Sequence, residues 1–199
     1  NRKRETLPRY LGHLQVFSFT ADQLEVVRGV PEARRNFIDR GIASLRPAYV
    51  QTASDYIKVL KQKNRILQDA AEQERRPDEV ADLIAPWNAQ LVRLGTEIHN
   101  SRIDYVDRLS AALEANLFER TELKIGYQSA LEGRGDVTNY SALLESRLHL
   151  RLPAEVAAGR ALIGPHRDDL QVHLEGREMR TFGSSGQQRS ALLLLDLAA

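Results

Sequence analysis

The chain has 199 residues, 42% of them hydrophobic, enough to bury a core in one large domain or two small ones. Its 28 Lys and Arg against 27 Asp and Glu exclude wholesale attraction to nucleic acid or membrane and leave only local basic faces. It has no cysteine, which excludes disulfides and thiolate metal sites and permits a reducing compartment. No apolar run approaches the roughly 18 residues of a membrane span. The first residues, NRKRETLPRY, lack the apolar core of a signal peptide. The chain reads as a piece of a longer protein: it has no starting Met and stops inside an apolar run.

HLQVFSF, residues 13 to 19, alternates loosely and is rich in aromatic and β-branched residues, which predicts a short strand. Thr20 is placed to cap a helical turn that Gly29 ends. Pro31 then opens a second helix, PEARRNFIDRGI. From Leu45 the apolar residues step by three or four: Leu45, Tyr49, Ala53, Tyr56, Leu60, Asn64, Leu67 and Ala71. That spacing predicts one face of a long helix. The polar run ERRPD, residues 74 to 78, turns the chain. A second series follows with heptad spacing: Val80, Ile84, Trp87, Leu91, Leu94, Ile98, Ser101 and Tyr105. Pro86 predicts a helix restart just before Trp87. Two long amphipathic helices joined by a short turn make an antiparallel hairpin, or two members of a plain helical bundle.

LKIGYQSAL, residues 123 to 131, predicts a strand, and GRGD breaks it. A helix over Tyr140 to Leu150 comes next. ALIGPHRDDLQVHLEGREMRTF then reads as β-hairpin material, with QVHL alternating and EGRE turning. The order β, helical block, β predicts a mixed α+β fold interrupted by a helical domain. Its expected parts are residues 1–30 in a head, 31–120 as a helical arm, and 121–199 as strands, a helix and the rest of the head.

The last stretch, FGSSGQQRSALLLLDLAA, carries the candidate site. Ser184, Ser185 and Gly186 let the backbone turn tightly and offer hydroxyl donors, and Gln187 extends the donor set. A helix opening there points unpaired N–H groups and its positive dipole end outward, which suits a phosphate. An ordinary serine-capped helix explains the same residues. LLLLD suggests the apolar strand and carboxylate of a metal–nucleotide site. A helix begun at Ser184 cannot become a core strand by Leu192 with no turn residue between them. Asp196 is therefore expected at the polar edge of a buried helix.

Two other groups carry candidate chemistry. GPHRDDL holds His166, Arg167, Asp168 and Asp169. Those are metal-ligand types, but a turn with Arg–Asp pairing explains them as well. Arg34 and Arg35 are candidates for DNA phosphates or for pairing with Asp39. Lys58, Lys61, Lys63 and Arg65 make a basic stretch on the first long helix, either a phosphate-contacting surface or a solvated face. Few aromatics interleave them, which disfavours base stacking.

SSGQQR resembles the signature motif of ABC-type ATPases, Ser-Gly-Gly-Gln, with Ser184, Ser185, Gly186 and Gln187 in its four positions. Together with GPHRDDL and FTADQLEVVRGVPEARRNFIDR (19 to 40), the motif is similar to the RecF family, related to Rad50 and SMC. The resemblance implies an ABC-type head with a helical arm that binds ATP and Mg²⁺, dimerises around ATP and binds DNA at gaps and junctions. It further implies a cytoplasmic partner of RecR in recombinational repair, replication and the SOS response. By that resemblance Ser184, with Ser185, Gly186 and Gln187, contacts the γ-phosphate held by the partner subunit, and Asp22 or Gln23 lies near the glutamine-loop position. No GxxxxGK[ST] loop and no strand ending in paired acids occurs in the 199 residues. These residues are therefore not expected to hydrolyse ATP unaided, though the longer protein is expected to be a weak DNA-stimulated ATPase. The alternatives are a helical-hairpin scaffold without nucleotide chemistry, and a transporter motor, against which the helical arm and GPHRDDL speak.

Overall fold

A computed structural model describes residues 24–115 and 122–198. The expected strand at 13–19, the Thr20 cap and the glutamine-loop candidates Asp22 and Gln23 lie outside the described residues. The chain is mixed α and β and forms two compact units. One, the sheet unit, contains residues 24–49, 101–115, 122–128 and 168–198; the other, the helical unit, contains 50–100 and 129–167. Among the described residues no helix is long and apolar enough to cross a membrane.

In the sheet unit, α1 (Glu25–Arg28) ends at Gly29, whose N–H bonds to the Glu25 carbonyl at 2.9 Å. Pro31 occupies the first turn of α2 (Pro31–Leu45), where its missing N–H costs nothing. α2 stops before Pro47, because the residue preceding a proline is pushed out of helical conformation: Arg46 has φ −133° and ψ 84°. Leu45 is therefore the exposed end of one helix rather than the first apolar residue of the next.

Three antiparallel strands follow in the order β1 (Leu123–Gln128), β2 (Asp169–Leu174), β3 (Arg177–Glu178). Leu123 pairs with Leu174 and Gln128 with Asp169. Leu170, Val172 and Leu174 are buried at every second position of β2, the period of a strand with one face on the core. Glu175 (φ 52°) and Gly176 (φ 75°) form the two-residue turn to β3. The expected hairpin ends early, since Met179–Phe182 is a helical turn, α7, anchored by the buried Met179. The final helix, α8, spans Ser185–Ala198. α1 packs on α2, α7 and α8, while α2 and α7 pack on β2.

The helical unit is built on α3 (Tyr49–Glu72) and α4 (Pro77–Ala115), which begin and end respectively in the sheet unit's residues. α3 closes with Glu74 at φ 50°, the Arg75 N–H on the Ala70 carbonyl (2.9 Å) and the Glu74 N–H on the Ala71 carbonyl (3.2 Å). That pair of bonds satisfies the orphan carbonyls and reverses the chain. Leu67 and Ala70 then pack against Val80 and Ile84, and Thr52 donates to Glu97 at 2.8 Å, so the two helices form an antiparallel hairpin. α4 runs unbroken through Pro86. The expected restart does not occur: Pro86 and Asp82, whose carbonyl loses its N–H partner, are both exposed, so the freed carbonyl faces solvent and is not buried. The buried face of α3 is rotated from the expected one: Tyr56, Val59, Lys63, Leu67 and Ala70 are buried, while Leu60, Asn64 and Ala71 are half-buried.

Residues 129–167 belong to this unit, so its boundaries do not follow the expected ones at 30 and 120. The reason is apolar packing. Asn139 caps α5 (Tyr140–Leu150) by accepting from the Ala142 N–H, and Tyr140, Leu144 and Leu148 form a core with Leu131 and Ile163. Leu152 and Val156 of α6 (Leu152–Ala158) join the hairpin core of Leu67, Val80 and Ile84. Next to that core Lys63 Nζ meets Glu155 Oε2 at 2.6 Å, both side chains fully buried. Burial pulls the Lys63 pKa down, and Glu155 opposes that shift. Glu155 also accepts the Leu162 N–H at 2.8 Å, and Asn64 accepts the Ala161 N–H at 2.7 Å.

Glu155→Ala leaves the Lys63 ammonium buried without its counter-charge and is expected to cost about 3–5 kcal/mol. Lys63→Met with Glu155→Leu removes both charges and is expected to cost less than Glu155→Ala alone. Urea unfolding of the two variants checks the order; the reverse order would show that the pair contributes no mutual compensation.

Candidate functional site

α7 ends at Gly183, where there is no room for a side chain: a Cβ would stand 2.3 Å from Met179 Cε and 2.8 Å from its carbonyl oxygen. Ser184 follows as the cap of α8. Its Oγ accepts the Gln187 N–H at 3.3 Å, and Gln187 Oε1 accepts the Ser184 N–H at 3.0 Å. This reciprocal pair is a capping box. Gln188 adds Nε2 on the Gly183 carbonyl at 3.1 Å. Ser184, Ser185, Gly186 and Gln187 are all exposed, and a Cβ on Gly186 would meet nothing within 4 Å. Capping uses the lone pair of the Ser184 hydroxyl and leaves its proton as a donor, beside the outward N–H groups of the first helical turn. The arrangement caps the helix and leaves donors of the kind an anion takes facing outward.

LLLLD is helical, as the missing turn residue required. Ala191, Leu192, Leu194 and Leu195 are buried while Leu193 is exposed, which is a helix face and not a strand. Asp196 sits half-buried at the edge. Burial raises its pKa, with Arg40 opposing. It adds to the burial that pushes the Tyr105 hydroxyl up to about 12.

The second cluster joins two sequence motifs. Arg34 is 3% exposed and does not reach a surface phosphate. Its Nε and Nη2 donate to the two oxygens of Asp169 at 2.6 and 2.9 Å, and its Nη1 donates to the Gly29 carbonyl at 2.8 Å. Arg35, half-buried, donates to the Asp168 carbonyl at 2.8 Å. Burial lowers its pKa, and Arg102 adds to the shift. The Tyr127 hydroxyl donates to the buried Asp168 carboxylate. Asp39 pairs with neither Arg34 nor Arg35. It accepts Nε and Nη2 of Arg102, each at 2.9 Å, and the Tyr49 hydroxyl at 2.6 Å. Burial, then the Asp39 charge, raises the Tyr49 pKa and keeps the hydroxyl a donor. The partner of Asp169 in GPHRDDL is thus Arg34 of α2 and not Arg167 of its own motif, which is exposed. His166 belongs to the helical unit and bonds through Nδ1 to the Tyr56 hydroxyl at 2.8 Å. Among the described residues no three His, Asp or Glu side chains are grouped to hold a metal ion.

The basic stretch on α3 divides. Lys58, Lys61 and Arg65 are exposed, with Lys58 on Asp55 at 2.9 Å. Lys63 is fully buried against Glu155 and is removed from any phosphate-contacting surface. A period of 3.6 residues turns position 63 inward while 58, 61 and 65 stay out.

No family model matches the chain. It is 32% identical over 206 residues to the DNA replication and repair protein RecF of Streptococcus pneumoniae (strain P1031), covering 98% of this chain and 53% of that protein. It is 31% identical over 202 residues to the protein of the same name in Geobacillus kaustophilus (strain HTA426), covering 98% and 54%. Two solved structures of the recombination mediator protein RecF in the RecFOR pathway share the fold. RecF-ATPrS gives a TM-score of 0.86 at 25% identity over 98% of this chain and 53% of that one. RecF-ATP gives 0.82 at 26% identity over 94% and 50%. The chain spans about half the length of the curated relatives it matches.

The capping role of Ser184 has its own test. Ser184→Ala is expected to lower stability by about 1 kcal/mol, and Ser184→Asp, which keeps the cap, to change it by a few tenths. Thermal unfolding followed by circular dichroism separates the two.

Proposed function

The chain belongs to the RecF family, and we propose that it supplies the signature half of a composite ATP site in a DNA-binding repair protein. The observation that carries this reading is the exposed, capped Ser184–Gln187 segment at the start of α8. Its donors fit a phosphate, and relatives of the same fold were solved as RecF-ATP and RecF-ATPrS. In the proposed arrangement two chains meet around ATP, and Ser184 of one donates to the γ-phosphate held by the other. A half-site that is complete only in the dimer couples nucleotide binding to association. No GxxxxGK[ST] phosphate loop occurs in the 199 residues, and in this reading Mg²⁺ binding and hydrolysis fall to the longer protein.

DNA is the proposed polymer partner, in line with the relatives' description as DNA replication and repair proteins. Lys58, Lys61 and Arg65 are the exposed cations of α3 proposed to meet its phosphates. RecR is the proposed protein partner, in line with the RecFOR pathway of the solved relatives.

The dimer reading is tested on the full-length protein with Ser184→Arg. The variant is expected to bind ATP as a monomer and to stay monomeric in light scattering where the wild type dimerises. Equal dimerisation by both proteins would reduce Ser184 to a helix cap. For DNA, changing Lys58, Lys61 and Arg65 together to Glu is expected to weaken binding uniformly across sequences. The slope of log K against log salt should fall by about 0.9 for each duplex phosphate that the variant no longer neutralises. An unchanged slope would place the DNA surface elsewhere.

A further inference from the structure

The two motifs PEARR and PHRDD have no chemistry of their own in the proposed site, yet they meet in a largely buried charge pair of the sheet unit. Arg34, on the first turn of α2, forks both Asp169 oxygens at the start of β2 and uses a third N–H on the Gly29 carbonyl. Gly29 is the elbow between α1 and α2. α1 in turn buries Val26 and Val27 and packs on α7 and α8, the elements on either side of Ser184. One guanidinium therefore fixes the angle between the sheet and the helical turn on which the signature helix rests. Arg35 and Tyr127 hold the neighbouring residue, Asp168, so that β2 cannot shift to follow a displaced α1.

We infer that Arg34, through Asp169 and the Gly29 carbonyl, is a positioning residue for the signature segment, setting where Ser184 presents its hydroxyl to the phosphate of a second copy's nucleotide. The inference rests on the proposed ATP-dependent dimer. A planar fork is required because an ammonium cannot hold two carboxylate oxygens and a carbonyl at once with fixed geometry. A lysine in its place keeps the charge on Asp169 but frees the elbow.

The test uses the full-length protein with Arg34→Lys, and Asp169→Asn as a second variant that weakens the same fork from the other side. ATP binding to the monomer, ATP-dependent dimerisation and amide hydrogen exchange are measured for each. The expected result is monomer ATP affinity within about twofold of wild type and dimerisation weakened at least about tenfold. Exchange should be faster at residues 25–29 and 184–188 and unchanged over α5 of the helical unit. Dimerisation equal to wild type in a folded variant overturns the inference while leaving the composite site intact. Failure of the wild type to dimerise with ATP overturns the composite site, and this inference with it. Faster exchange throughout, or loss of folding in both variants, shows that the fork holds the unit together and does not orient the signature, which also overturns it.

Discussion

The Arg34–Asp169 fork is the constraint on which the sheet unit depends. A guanidinium buried to 3% exposure must have acceptors for its donors, and the arrangement that supplies three of them brings α2, β2 and the α1 elbow together. Once α2 is locked to β2, the order of the rest follows. α1 is returned over α7 and α8, β2 pairs along β1, and the short turn at Glu175–Gly176 carries the chain toward α8. The neighbouring Arg102–Asp39–Tyr49 group has the same logic: one buried cation, one carboxylate, and a hydroxyl held neutral to complete it. Such pairs are weak sources of net stability, because desolvation offsets their attraction, but they tolerate few alternative geometries.

The helical unit combines an apolar seam with its own buried polar groups. Its hairpin is a conventional apolar seam, Leu67 and Ala70 on Val80 and Ile84, with one buried ion pair beside it. Glu155 and Asn64 also accept the backbone N–H groups of Leu162 and Ala161, so the strandless segment after α6 has partners for its buried amides. His99 stacked on Tyr140, with ring centroids 3.6 Å apart, ties α4 to α5 in a similar way. Polar side chains here stand in for a sheet edge or a longer helix.

At α8 the residues that cap the helix also leave donors pointing outward. A serine that satisfies the third N–H of a helix is also a serine fixed in one rotamer with its proton free to donate. The glutamine that completes the box holds the serine's own N–H. The two bonds tie Ser184 and Gln187 to each other at the start of α8.

Local patterns were decisive wherever a short-range force decides the outcome. Pro31 opening α2, Gly29 ending α1, the ERRPD reversal, α5 beginning at Tyr140 and the helical nature of LLLLD were all legible. Each depends on backbone geometry or on periodicity within a few residues. The seam Val80, Ile84, Leu91, Leu94, Ile98 and Tyr105 was legible for the same reason. The segment Ser184–Gln187 was legible as a helix start with donors, and the chain's resemblance to the RecF family agrees with the relatives found over 98% of it. Pairing between charges was not legible. Nothing within a few residues of Arg34 distinguishes Asp169, 135 positions away, from Asp39, and Lys63 in a basic run looks like its exposed neighbours until Glu155 is brought against it. The helices, the turns and the donors offered at Ser184 are thus properties of residues close together along the chain. Which charges are buried, and with whom, is a property of the assembled fold, because burial and charge pairing arise between distant segments and no local pattern encodes them.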